Sequence, residues 1–356
     1  MLIIFISVFS FLVSFLVTPV VIRFAKKYSL VDNSKTRPHP AHTHQGIIPR
    51  AGGLAIFLGI FVPTVLTIPI SKTLIGIFFG ALILLIVGLW DDKKDRSPYL
   101  RFITNIIAAV FVIGAGIGIP YITNPFGGIL NLDIYRITFN FLGNHSILII
   151  ADLFALIWII WTTNIVGWSG GVDGQLPGFV GISSLVIGLL SLRYVSNDPQ
   201  QLIVVYLSFA TSGAFLGFLP WNFFPQKIMP GYGGKTLAGF MLAVLSILSF
   251  SKLGTAILVL SVPITDAVFM IARRIFSGKS PVWASSGHLH HHLISLGWGK
   301  RRVAYFYWTI SALAGIIALG LNSKQKIFAG VLIFVLVIGF IFWINYLRIN
   351  PREEKK

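Results

Sequence analysis

Residues 73–90 read TLIGIFFGALILLIVGLW and are followed at once by Asp91 and Asp92. This run of eighteen residues carries no charged side chain, and about 20 such residues in a helix cross a hydrocarbon core of about 30 Å. Lipid offers the backbone no hydrogen bonds, so a long apolar run crosses it as a helix. The stretch therefore predicts a transmembrane helix with two carboxylates at its end.

The rest of the chain has the same character. Hydrophobic residues make up 55% of the 356 residues and charged residues 11%, and the mean hydropathy is +0.84, which excludes a water-soluble protein of this length. We therefore expect an all-α polytopic integral membrane protein, with residues 1–356 forming one membrane domain and the first helix retained. Ten or eleven spans are expected, the eighth being the weakest: 2–22, 51–70, 73–90, 102–120, 146–166, 178–195, 201–220, 236–250, 254–272, 303–321 and 327–347.

Lysine and arginine lie mostly in alternate loops. Six of the 28 lie in one set of loops, and the other 22 lie in the segments 23–50, 91–101, 163–178, 221–235 and 273–302 and in the C-terminal tail. Because these residues accumulate on the cytoplasmic side, the split predicts an external N-terminus, a cytoplasmic C-terminus and cytoplasmic site loops. Of the remaining loops, 121–145 contains an alternating stretch, 130–139, that predicts a small hairpin.

The formal net charge of +17 is concentrated beside the predicted membrane ends. There it favours anionic lipid or an anionic substrate as partner, rather than nucleic acid. Cysteine is absent, which excludes a disulfide, a thiolate nucleophile and a Cys-ligated metal. The oligomeric state is left open, a homodimer being one alternative.

Acidic residues number only eleven, so their positions are informative. Asp91, Asp92 and Asp95 crowd the end of the third predicted span, and adjacent carboxylates repel unless a cation lies between them. The alternative is a solvated helix end whose acids pair with neighbouring lysine and arginine. A second candidate is the loop 161–178, which contains Asn164, Asp173 and five glycines, and whose backbone could approach an anion closely. A flexible turn is the alternative there.

Three further segments carry basic or histidine side chains. His288 and His290–His292 suit metal or phosphate binding, unless they are simply a solvated histidine run. Lys235 follows Gly234, but Met229 stands where a phosphate loop requires glycine, so a Walker motif is rejected. Arg50, before Gly52 and Gly53, suits a bidentate phosphate contact or an interfacial position.

In this order, the blocks resemble the polyprenyl-phosphate N-acetylhexosamine-1-phosphate transferase family, glycosyltransferase family 4, and within it the initiator branch. The resemblance rests on these blocks: Pro49-Arg50-Ala-Gly52-Gly53, Gly88-Leu-Trp-Asp91-Asp92 with Asp95-Arg-Ser-Pro98, Pro263-Ile-Thr-Asp266 with Arg273-Arg274, and Ser280-Pro281 with His288-Leu-His290-His291. It implies a multi-pass enzyme of the plasma membrane, usually with eleven helices.

The resemblance implies that polyprenyl phosphate attacks the β-phosphorus of a UDP-N-acetylhexosamine and releases UMP, as the first membrane step of cell-envelope glycan synthesis. It implies Mg²⁺, with Mn²⁺ as the alternative ion. By position, Asp91, Asp92 and Asp173 would be catalytic and metal-binding, and His290 and His291 catalytic. A substrate-binding role falls to the following residues: Arg50, Asn164, His288, Lys227, Lys235 and Arg274.

This chain departs from the family pattern at several acidic positions. Gly167 and Gly170 stand where the glycine-rich loop usually has Asn and Asp, and Ser285 stands where an Asp usually precedes the histidines. The segment Pro230-Gly-Tyr232-Gly-Gly-Lys235 stands where the family has Met-Gly-Asp-x-Gly-Ser. Because three carboxylates are missing, the usual metal geometry does not carry over whole. Lys235 is a candidate for supplying some of the positive charge.

Three functions compete. The first is a UDP-sugar:polyprenyl-phosphate sugar-1-phosphate transferase. The second is a catalytically silent relative that binds polyprenyl phosphate or scaffolds an envelope complex, which the lost acids favour. The third is a transporter, which would need polar groups along a path through the bilayer. Only Asp152 and Asp266 are intramembrane acids, and Asp266 has a structural alternative as a partner of Arg273.

Overall fold

The structure is a computed structural model that describes residues 1–33, 46–124, 126–140, 144–249, 252–278 and 287–349. Two of its helices begin at a capping serine. Ser71 accepts a hydrogen bond from Leu74 N at 3.2 Å and begins the helix Lys72–Lys93. Ser97 does the same for Leu100 N at 3.3 Å, with Pro98 at the first position of the helix Pro98–Gly114. Both are favoured N-terminal arrangements, since the side-chain oxygen satisfies an orphan backbone donor.

The described residues form thirteen helices and six short strands. The helices are α1 Leu2–Lys27, α2 Gly52–Thr67, α3 Lys72–Lys93, α4 Pro98–Gly114, α5 Ile149–Trp168, α6 Gln175–Leu192, α7 Gln201–Asn222, α8 Gly231–Leu248, α9 Lys252–Val259, α10 Ser261–Phe276, α11 Leu289–Ser295, α12 Lys300–Gly320 and α13 Ser323–Ile349. The strands are β1 Val31–Asn33, β2 Ile47–Pro49, β3 Tyr121–Thr123, β4 Ile129–Asn131, β5 Arg136–Asn140 and β6 Asn144–Leu148.

The predicted class, a polytopic α-helical membrane protein, is confirmed. Within the described part of the chain, eight helices are long and apolar enough to cross a membrane, or nine if α9 and α10 count as one span. Two further apolar helices are shorter: α2 with 16 residues and α4 with 17. At 1.5 Å per residue, these reach only about 25 Å. The number eleven and the orientation therefore stay predictions.

The ninth predicted span is wrong as a single straight helix. It is broken at Leu260, where α9 and α10 meet at 80°. Pro263 explains the break, because its ring would clash with the Val259 carbonyl in a continuous helix and it has no N–H to donate.

The predicted hairpin at 130–139 is also wrong in its pairing. Its residues lie on β4 and β5, which do not pair with each other: β3 pairs with β4 and β5 with β6, both antiparallel. The remaining pair, β1 with β2, joins Asp32 to Ile48 in register. It also holds the chain before Arg50, because Arg50 N donates to Leu30 O at 2.9 Å.

Helix α8 lies at the centre of the bundle and packs on α3, α5 and α2. Its first turn approaches the other helices backbone to backbone. A Cβ at Gly88 of α3 would collide with Gly233, and one at Gly53 of α2 would collide with Gly234. These glycine contacts bring the ends of α2, α3 and α8 together. The side chains that flank the glycines therefore converge at one end of the bundle.

Candidate active site

Asp91 lies in the last turn of α3 and is wholly buried. The guanidinium of Arg101, on α4, donates to both of its oxygens, with Nε 2.7 Å from Oδ1 and Nη2 3.0 Å from Oδ2. The backbone N–H of Arg96 also donates to Oδ1 at 3.1 Å. Planar two-point contacts of this kind are among the strongest ion pairs in proteins. Asp91 is therefore held by cations and by the α3–α4 turn.

Asp92 is buried beside it and faces Arg50 and α8. Arg50 Nε lies 3.3 Å from Asp92 Oδ1, and the Tyr232 backbone N–H donates to the same oxygen at 2.8 Å. Arg50 also approaches Asp32 at 3.6 Å and Asp95 at 3.4 Å. Burial alone would lower the pKa of Arg50, but these surrounding carboxylates outweigh burial and raise it. Arg50 is thus a permanent cation among acids.

Lys235 lies one turn further along α8 than Tyr232. Its Cβ packs against Gly167 of α5, and its ammonium interacts electrostatically with Arg50, Arg101 and Asp92. Among the residues that the structure describes, no hydrogen bond or ion pair forms to this ammonium. Lys235 also contributes to the field at His290 and His291. Lys235 is therefore within electrostatic range of both the carboxylate–arginine cluster and the histidines.

The histidines lie on and before the short helix α11. Asp266 of α10 organises them: its carboxylate lies 2.9 Å from His288 Nδ1 and accepts from Leu289 N at 2.8 Å. The ring centroids of His288 and His290 are 5.7 Å apart and nearly parallel, and those of His290 and His291 are 4.2 Å apart. The ring of His290 lies against the backbone of Gly171, so the cluster contacts the glycine-rich turn.

The pKa values of two of these histidines are lowered. For His290, burial is the main cause and the neighbouring histidines add to it. For His291, burial and then the nearby His288 lower the pKa to about 4. Both effects disfavour the imidazolium form. Both rings are therefore neutral at pH 7 and can each donate one hydrogen bond and accept another.

Asp173 lies in the glycine-rich turn between α5 and α6. Its Oδ1 is 3.1 Å from Lys300 Nζ at the start of α12, and Gln226 N donates to its Oδ2 at 3.4 Å. Gly174 follows in the left-handed conformation, with φ +75°, and donates through its N–H to Asn222 Oδ1 at 3.0 Å. The turn is thus fastened to the α7–α8 connection and to α12.

Comparison with known proteins shows to which family the chain belongs. Residues 74–250 match the family described as glycosyl transferase family 4. The chain is 30% identical over 342 residues to a probable undecaprenyl-phosphate N-acetylglucosaminyl 1-phosphate transferase of Bacillus subtilis (strain 168), an alignment that covers 92% of this chain and 87% of the relative. The chain belongs to glycosyl transferase family 4.

Other relatives in this family carry similar names. A decaprenyl-phosphate N-acetylglucosaminephosphotransferase of Mycobacterium tuberculosis (strain ATCC 25618 / H37Rv) is 28% identical over 316 residues, covering 81% of this chain and 74% of the relative. An undecaprenyl-phosphate alpha-N-acetylglucosaminyl 1-phosphate transferase of Haemophilus influenzae (strain ATCC 51907 / DSM 11121 / KW20 / Rd) is 30% identical over 321 residues, covering 87% and 84%. The predicted resemblance is confirmed.

The predicted metal set of this family 4 protein is not assembled. No group of three or more His, Cys, Asp or Glu side chains within the described ranges could hold a metal ion. Asp91 is forked to Arg101, Asp92 faces Arg50 and the Tyr232 N–H, and Asp173 pairs with Lys300. Mg²⁺ favours carboxylate oxygens together with water and phosphate, whereas these oxygens face fixed cations. The three carboxylates therefore do not fit a shared Mg²⁺ or Mn²⁺ site, and the requirement for the ion stays a prediction.

Asn164 and Arg274 lie on helices instead of in the predicted loops. The loop 163–178 is only the turn 169–174, because α5 continues to Trp168. Asn164 is therefore helical, and its Nδ2 donates to Ile160 O at 2.7 Å. Lys227 is exposed over the ring of Trp221, and Arg274 lies in the last turn of α10. Ser280, Pro281 and Ser285 lie outside the described residues.

Four residues of the candidate site had no predicted site role: Asp32, Arg101, Asp266 and Lys300. Asp266 pairs with His288, so the alternative that it pairs with Arg273 is wrong. For Arg101 the signal was its position just after the carboxylates, within the first turn of the next helix. For Lys300 no local signal existed, since its partner Asp173 is 127 residues away.

Proposed function

We propose that this protein transfers a sugar-1-phosphate, in the form of N-acetylhexosamine-1-phosphate, from a UDP-sugar to polyprenyl phosphate and releases UMP. The observation that carries this proposal is the convergence of Arg50, Arg101, Lys235 and neutral histidines at one end of a membrane bundle. Such a site suits two phosphate groups that meet at a membrane surface. The names of the family 4 relatives support the same acceptor and the same transferred group.

In the proposed reaction, an oxygen of the lipid phosphate attacks the β-phosphorus of the UDP-sugar. The bond from that phosphorus to the bridging oxygen of UMP breaks, and UMP leaves with the electron pair. A phosphate monoester has a second pKa of about 6 and is already largely dianionic at neutral pH, so no side chain needs to remove a proton. Catalysis then depends on positioning and on charge stabilisation.

The side chains have distinct proposed roles. Arg50 and Arg101 are anchored by carboxylates and present fixed positive charge to the phosphates. His290 and His291 act as neutral hydrogen-bonding groups for phosphate or sugar oxygens, and His288 is oriented by Asp266. Glycine at 171 lets the turn lie against the ring of His290, because a side chain there would collide with that ring.

The test uses the purified full-length chain in detergent with polyprenyl phosphate and a panel of radiolabelled UDP-N-acetylhexosamines. Label that enters the lipid with equimolar UMP release supports the proposal and identifies the hexosamine. Binding of polyprenyl phosphate without turnover would refute it and support the silent lipid-binding relative. Boiled protein and UDP-sugar without lipid are the controls.

We also propose that the site faces the cytoplasm, where UDP-sugars are made. The charge distribution of the loops supports this orientation. The test uses two reporter enzymes, one active only in the cytoplasm and one active only outside the cell. After Lys356 the cytoplasmic reporter should be active, and before Met1 the external reporter should be active. An external C-terminus would reverse the orientation and refute the cytoplasmic site.

A further inference from the structure

Among the site residues that the structure describes, Lys235 is a cation that pairs with no carboxylate. Arg101 is committed to Asp91, and Arg50 is shared among Asp92, Asp32 and Asp95. Lys235 differs from both. Its ammonium makes no hydrogen bond or ion pair with any residue that the structure describes, although carboxylates and arginines lie within electrostatic range.

An unpaired ammonium among arginines is unfavourable, because like charges repel and partial burial removes water. The unfavourable term disappears when an anion with several oxygens enters, since Lys carries three donors. A phosphate group has the right charge and the right acceptors. Lys235 is within electrostatic range of the Asp92–Arg50 pair and of His290, and under the proposed function both substrates bring their phosphates to these groups.

The carboxylates on the other side of this position are not arranged to attract a second cation. Each oxygen of Asp91 accepts from Arg101. A divalent ion there would have to displace a forked guanidinium and would also face Arg50 and Lys235. Like charges at close range repel strongly in a partly buried setting, so the added repulsion would be large.

Tyr232 strengthens this arrangement. It stands on α8 one turn before Lys235, its ring lies 5.0 Å from the Arg101 guanidinium carbon, and its N–H is used by Asp92. An aromatic ring in this position holds Arg101 in place, and Tyr232 has no carboxylate to offer a metal. Local charge at the site is therefore organised around side-chain cations.

We propose that Lys235 supplies, as a direct phosphate contact, the positive charge that a divalent ion would otherwise supply, and that transfer by this protein does not require a divalent metal. The proposal rests on the proposed function, because it names how that same site neutralises its substrates. Bond changes are those given above, and no further reactant is needed.

The first experiment measures transfer by full-length protein in excess EDTA and in Mg²⁺, for the unchanged chain and for Lys235→Met, Lys235→Arg and the matched control Lys26→Met. Lys26 is exposed at the same end of the bundle, in the last turn of α1. We expect EDTA to have little effect. Lys235→Met should lose about 100-fold or more, the usual cost of one contact to developing charge, while Lys235→Arg keeps part of the rate and Lys26→Met keeps it all.

The second experiment titrates Mn²⁺ into the same protein and follows the free ion by electron paramagnetic resonance. We expect no stoichiometric site. Thermal unfolding of each variant shows whether a loss of rate reflects misfolding. Lys235→Arg covers the case in which Lys235→Met does not fold, because a rate that arginine partly keeps in EDTA supports the charge-based role.

A loss of about 100-fold or more in EDTA, together with one bound Mn²⁺ that Asp92→Asn abolishes, would overturn the inference and leave the proposed function intact. Absence of transfer under both conditions would refute the proposed function. In that case, the phosphate contact of Lys235 is tested by the binding of polyprenyl phosphate in EDTA. Loss of binding in Lys235→Met but not in Lys26→Met supports the contact, and equal binding by both variants overturns it.

Discussion

Replacement of Asp91 by Asn should harm both stability and transfer, whereas the same change at Asp95 should be mild. Asp91 is wholly buried in its fork with Arg101. Asp95 has a side chain that is 54% exposed, and it lies 3.4 Å from Arg50 and 3.9 Å from Arg101. The two residues share one charge cluster and differ mainly in burial, so each serves as the other's control.

The magnitude follows from that burial. Removal of one partner from a buried ion pair costs about 3–5 kcal/mol. The Arg101 side chain is 32% exposed, so water recovers part of this, and we expect about 2 kcal/mol. An unfolding entropy of about 2 cal/mol/K per residue converts this to a fall in Tm of about 3 °C for the chain. For Asp95→Asn, an exposed pair worth at most about 1 kcal/mol gives a fall of about 1 °C or less.

Transfer should follow the same order. Asn keeps the shape of Asp but no longer fixes the charge of Arg101, and we expect a loss of about 100-fold in rate for Asp91→Asn and a much smaller loss for Asp95→Asn. Tm is measured by differential scanning fluorimetry in one detergent, and transfer by label in lipid. Equal effects of the two substitutions on both readouts would refute the reasoning. So would full rescue of Asp91→Asn by high Mg²⁺.

Gly88→Ala should destabilise the protein, because its new methyl group meets the α8 backbone. Gly114 has open space around it, so Gly114→Ala should be neutral or stabilising by up to about 1 kcal/mol, since alanine is the better helix former. Similar unfolding midpoints for the two variants would contradict the close contact at Gly88. His290→Ala and His291→Ala should lower kcat more than His292→Ala, and equal losses would indicate an undifferentiated run. Because the pKa of His291 is lowered to about 4, its neutral form stabilises the fold fully above pH 6.5, and this contribution is lost as the pH falls from 6.5 towards 4. The fall in Tm over that range should therefore be shallower in His291→Gln, and an unchanged slope would count against it.

The spans were predictable because a single physical constraint, the thickness of the hydrocarbon layer, is repeated along the chain. Their ends were not. Trp168, Gly231 and Lys235 were assigned to loops, since polar and glycine-rich sequence near a span does not reveal how far hydrogen bonding continues. Pro263 was a local signal for the break at Leu260, but a span predicted from the length of the apolar run does not take a single proline into account.

The residue types of the candidate site were predictable from the sequence, but which side chains pair with one another was less so. Asp91, Asp92 and Arg50 do meet, as their blocks suggested. However, the fork from Arg101 and the pairing of Asp266 with His288 depend on the way separate helices pack, and neither has a periodic signature in the sequence. The sequence therefore identified carboxylates that could bind a metal but not the cations that already neutralise them.

The backbone contacts of Gly53 and Gly88 with the first turn of α8 also bear on how such a site can diverge. Because the helices meet through main chain, the frame does not depend on the side chains at 232 and 235. Those positions can exchange acid, aromatic or base while the scaffold keeps its shape. Evolution can thus change the charge distribution of the site by single substitutions at these positions, and the same substitutions could be reversed by mutagenesis.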